Sequence, residues 1–89
     1  MVRAQPAPTK TELLDAVGAA LAGDWRRAHN IVQQYEDDAL ACWVHAVVHK
    51  IEGDTSNSRF WYSEIERSYN EFADAKQELV AIKRAVESG

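Results

Sequence analysis

The sequence predicts an all-α domain, and three observations carry that expectation. Apolar residues recur at spacings of three and four along most of the chain. Both prolines fall within the first eight residues, so nothing after Pro8 forbids helix. Glycines and cap-forming Asp and Asn residues separate the apolar stretches. The expected architecture is five helices, arranged as two helix-turn-helix repeats (about 10–36 and 38–68) followed by a capping helix (70–88).

Residues 1–9 read as a Pro-rich, flexible lead, and residues 10–89 as one helical domain. A first helix is expected over about 10–22. Leu13, Leu14, Val17, Ala20 and Leu21 share one face of it, with Glu12 and Asp15 opposite. Gly23 ends this helix and Asp24 starts the next, about 25–35, whose buried stripe is Ala28, Ile31, Val32 and Tyr35. Asp37 and Asp38 supply caps for a third helix over about 39–52. Leu40, Trp43, Val44, Val47, Val48 and Ile51 give it a wide apolar face. Gly53 stops it, and Asp54-Thr55-Ser56-Asn57 reads as a turn. A fourth helix is expected over about 58–68, with Trp61, Tyr62, Ile65 and Tyr69 on its apolar side. Asn70 caps a fifth, about 71–87, with a seam of Phe72, Ala75, Leu79, Ile82 and Val86.

Residues 13–36 and 43–66 align without a gap at an offset of 30. Ala16/Ala46, Val17/Val47, Gly23/Gly53 and Asp24/Asp54 are identical pairs. Ala28/Ser58, Ile31/Trp61 and Val32/Tyr62 keep their character. The Gly-Asp pair falls where a chain must end one helix and begin another, so both copies face the same physical need.

Gly23-Asp24-Trp25 with Ala28 and Val32 resembles the turn of tetratricopeptide (TPR) and Sel1-like helical repeats. The period of 30 differs from the roughly 34 residues of a TPR unit, and the proline that usually closes one is absent. The run from Trp43 to Tyr62, WVHAVVHKIEGDTSNSRFWY, resembles a group of small uncharacterised bacterial proteins with a similar W-V-H-A…H…E-G-D…N-A…Y-W-Y pattern. Ser58 stands where that group has Ala, and Ser63 to Arg67 lack its Arg-Ala-Gly ending. The resemblance implies a fold and no activity.

A net charge of −4 is unevenly distributed. Residues 1–36 hold four basic and four acidic side chains, and residues 37–89 hold six and ten. No basic stripe is present, which argues against nucleic acid and anionic membranes as partners. The single cysteine, Cys42, excludes an intrachain disulfide and fits a reducing compartment. No apolar run approaches the roughly 20 residues that span a bilayer. Glu12 and Asp15 break the one stretch that could pass for a signal peptide. A cytoplasmic location is the expectation.

His45, His49 and Glu52 form the constellation with a chemical spacing. Offsets of four and three residues return to nearly the same side of a helix, opposite Trp43, Val47 and Ile51. Two imidazoles one turn apart can share a metal, with the carboxylate as third ligand. The glutamate that follows the first histidine in HExxH metalloproteases is absent. The plainer readings are a polar groove or a solvated face. Cys42 has no activating neighbour and reads as a structural thiol. His29 reads as a boundary residue covering apolar surface. Trp61 and Tyr62 fall on the core stripe of helix four, whereas Phe60 points away, and if exposed it would mark a binding patch.

The reading is a non-enzymatic, TPR-like protein-interaction module with no cofactor. Its groove is lined by His45, His49, Glu52 and Asn57, with Arg59 at the rim. Its partner is a protein or peptide, and the helix-five seam (Phe72, Leu79, Ile82, Val86) either closes the monomer or forms a homodimer. The alternative is a metal-binding protein or enzyme using His45, His49 and Glu52.

Overall fold

Two turns thirty residues apart organise the chain. The computed structural model describes residues 7–89, so residues 1–6 of the expected lead lie outside the described residues. Five helices follow: α1 (Lys10–Leu21), α2 (Trp25–Val32), α3 (Ala39–Glu52), α4 (Thr55–Glu64) and α5 (Ala75–Ser88). No strand occurs among the described residues. No helix among them is long and apolar enough to cross a membrane.

α1 begins on a capping box. The Thr9 hydroxyl accepts from the Glu12 amide, and the Glu12 carboxylate accepts from the Thr9 amide, both at 3.0 Å. α1 and α3 end alike. Gly23 has φ +89° and Gly53 has φ +85°. The Gly23 amide donates to Ala20 O and the Asp24 amide to Ala19 O; the Gly53 and Asp54 amides donate to Lys50 O and His49 O. This crossed pair of bonds satisfies the last carbonyls of each helix. Each aspartate then caps the next helix: Asp24 accepts from the Arg27 amide at 3.2 Å, and Asp54 from the Asn57 amide at 3.4 Å.

The turns fold α1 back on α2 and α3 back on α4, and α2 packs on α3 to join the two hairpins. Ala16, Ala28, Ala46 and Ser58 are fully buried. Ser58 Oγ donates to Ala46 O at 2.7 Å, so the hydroxyl satisfies itself within the α3/α4 contact. α5 lies across α1 and α3, the first helix of each hairpin. Leu79, Ile82 and Val86 are buried there within the one chain, so a homodimer has no claim on these three seam residues.

Several expected boundaries shift. α2 stops at Val32, short of Tyr35, although Tyr35 stays buried and its hydroxyl donates to Glu12 Oε2 at 2.6 Å. α4 begins at Thr55 because Asp54 is its cap; residues 55–57 of the expected turn are already helical. α4 ends at Glu64, before the expected Ser68, in a left-handed turn with φ +57° at Glu66. α5 begins at Ala75, capped by Asp74 and not by Asn70. Asp74 accepts from the Lys76 amide at 2.8 Å.

α3 is the central helix, touched by each of the other four. Every residue from Ala41 to Val48 is buried. Its sides therefore do not divide into an apolar and a polar half as the periodicity suggested. His45 is only 4% exposed, whereas Ile51, assigned to the core, is 40% exposed.

Burial has a polar exception on α5. Glu78 is fully buried and joins three helices. It accepts from Trp43 Nε1 (2.8 Å), Tyr62 OH (2.5 Å) and Lys50 Nζ (2.9 Å). Lys50 also donates to Phe72 O at 3.4 Å and lies over the rings of Tyr62 and Tyr69. The charge is thus paired and both carboxylate oxygens are occupied, the condition under which a buried ion pair is tolerated.

Candidate functional site

A histidine cluster occupies the contact between α2 and α3. His45 and His49 come from successive turns of α3, and α2 brings His29 against them. The rings of His29 and His45 meet edge-on with centroids 4.7 Å apart, and those of His29 and His49 at 5.3 Å. His45 and His49 stack at 5.0 Å with 23° between planes. One ring nitrogen from each of the three lies within 4.8 Å of those of the other two.

Trp61 of α4 closes one side. Its ring stacks on His45, centroids 4.1 Å apart and 16° from parallel. Phe60 lies edge-on to Trp61 at 5.1 Å and is 51% exposed. The aromatic layer therefore runs from solvent to the innermost histidine.

The three imidazoles are not equivalent. His45 Nδ1 is buried without a hydrogen-bond partner, the one such side-chain atom among the described residues. Leaving a buried polar atom unsatisfied costs about 1–3 kcal/mol. Burial, and then the neighbouring His29 and His49, push the His45 pKa down to about 3. Burial and His49 lower that of His29, against an opposing pull from Glu52. His49 Nδ1 is hydrogen-bonded to Glu52 Oε1. A carboxylate accepts, so His49 Nδ1 donates in this bond.

The residues expected to act together separate into two groups. His45 and His49 join His29, which the sequence treated as a boundary residue. Glu52 lies on His49 Nδ1 and groups with His49 and Asp54, whose Oδ2 is 4.0 Å from that nitrogen. Asn57 is exposed and donates from Nδ2 to Asp54 Oδ2 at 2.6 Å. Arg59 turns away, its guanidinium 4.5 Å from the centre of the Tyr69 ring. Cys42 is buried elsewhere, its thiol donating to Glu36 O at 3.0 Å. His29 was missed because its partners are 16 and 20 positions away, beyond any single-helix spacing.

The described residues define a five-helix fold with a three-imidazole cluster between its hairpins. No protein-family model, no curated protein and no solved structure matches the chain.

Proposed function

We propose that this chain is a small metal-binding helical protein whose ligands are His29, His45 and His49. The observation that carries the reading is the convergence of three imidazoles from two helices, one of which, His45, has a buried Nδ1 that lacks a partner. A tetrahedral site with metal–nitrogen bonds of 2.0–2.1 Å places its nitrogens about 3.4 Å apart. Shifts of roughly 1 Å in the side chains bring the present spacing to that value. A metal held through His45 Nδ1 would give that buried nitrogen the partner it lacks.

All-nitrogen donors suit zinc, copper, nickel or cobalt rather than magnesium or calcium. Glu52 on His49 Nδ1 matches the outer-shell carboxylate that orients many metal-bound histidines. The paired hairpins, TPR-like in their Gly-Asp turns, serve as the scaffold that presents α2 to α3.

A protein-binding groove is less well supported. α5 itself lies along α1 and α3, the face stacked hairpins would offer a partner. His45 is buried, and Arg59 packs on Tyr69.

Tag-free protein stripped with chelator and titrated with Zn²⁺ tests the reading. Uptake of one ion per chain is expected, with stability raised by about 2.7 kcal/mol at a hundredfold excess over Kd. His29→Gln and His49→Ala, at half-buried positions, should lose the uptake while remaining folded. Absence of saturable uptake by the wild type, or undiminished uptake by both variants, overturns it.

A further inference from the structure

Resting on the metal reading above, we infer that the centre has three protein ligands and one open position, which takes water or a small anion. The inference follows from where every nearby donor is already engaged. Glu52 is held on His49 Nδ1. Its carboxylate is not among the donor atoms of the histidine group, which lie within 4.8 Å of one another. Asp54 caps α4 and accepts from the Asn57 amide and side chain. The thiol of Cys42 is turned to Glu36 O, in a separate pocket lined by Asp37, Asp38, Glu64 and Ile65. Among the described residues, no fourth donor joins the histidine group.

The fourth direction is not sealed. His29 and Trp61 are only half-buried, and the His49 side chain is 12% exposed. Solvent therefore reaches the edge of the cluster while Trp61 shields His45. Three neutral imidazoles leave a divalent ion its full charge, so the vacant position favours an anion or hydroxide over a neutral ligand. Three protein ligands plus solvent distinguish exchangeable zinc sites from closed structural ones.

The test uses cobalt(II) as the metal and azide as the anion. Chelator-stripped protein is loaded with Co²⁺, and its visible absorption is followed while azide is added. Saturable change in the cobalt bands of the wild type is the expected result. Stoichiometric Co²⁺ uptake with bands indifferent to azide overturns the open position and leaves the metal reading standing. Failure to take up Co²⁺ or Zn²⁺ overturns both. Glu52→Ala is the control. If Glu52 only orients His49, this variant binds metal ten- to a hundredfold more weakly and keeps the azide response. If the response is absent in the wild type and emerges in Glu52→Ala, Glu52 is the fourth ligand and the inference falls.

Discussion

The Trp43 indole donates to the buried carboxylate of Glu78 at 2.8 Å, linking the central helix to the last one across 35 positions of sequence. The same carboxylate holds Tyr62 and Lys50. α5 is thus attached by a polar anchor as well as by its apolar seam.

Glu78→Ala should destabilise the protein by about 3–5 kcal/mol, because it leaves Lys50 without its partner in a largely buried position. Glu78→Gln keeps an acceptor for Trp43 and Tyr62 and should cost less. Urea unfolding of both variants measures the difference. A loss below about 1 kcal/mol for Glu78→Ala would mean that the seam alone docks α5.

Leu79→Ala removes a seam side chain that is only 1% exposed. The expected loss is about 2–5 kcal/mol, as for other large-to-small core changes. Val80→Ala, on the 39%-exposed side of the same helix, is the matched comparison and should cost far less. Equal costs would contradict the orientation of α5.

The two Gly-Asp turns should respond alike to substitution. A Cβ at Gly23 or Gly53 meets nothing within 4 Å, so only the left-handed backbone opposes it. Gly23→Val and Gly53→Val should each cost about 1–2 kcal/mol. Glu66 occupies the same backbone region without being glycine. Glu66→Gly should therefore stabilise by up to about 1 kcal/mol, read from the same unfolding curves.

Cys42 should resist thiol reagents in the native protein. Burial first, then the carboxylates of Asp38, Glu64, Glu36 and Asp37, push its thiol up to about 11. That leaves on the order of one thiolate in ten thousand at neutral pH. Alkylation by iodoacetamide should be slow at pH 7, fast after denaturation, and should keep rising with pH past about 8.5, where an ordinary thiol is half ionised. Rapid labelling of folded protein at pH 7 would contradict this.

The sequence alone determined what lies within one helix or one turn. The 3.6-residue periodicity marked five helices, and α3 was expected over its observed span because Asp38 and Gly53 bound it chemically. The Gly-Asp pairs announced two equivalent turns, since left-handed backbone and an aspartate cap are local requirements. The i, i+4 spacing of His45 and His49 was equally legible. Only the tertiary structure decided which side chains meet across helices. It brought His29 to the α3 histidines, buried His45, set Glu52 on Nδ1 of His49 and drew Glu78 into the core. It also capped α5 with Asp74 rather than Asn70, although either residue could cap a helix. Periodicity records the angle of a residue about its own axis. It holds no information on how one axis lies against another, and the candidate site is made at such a crossing.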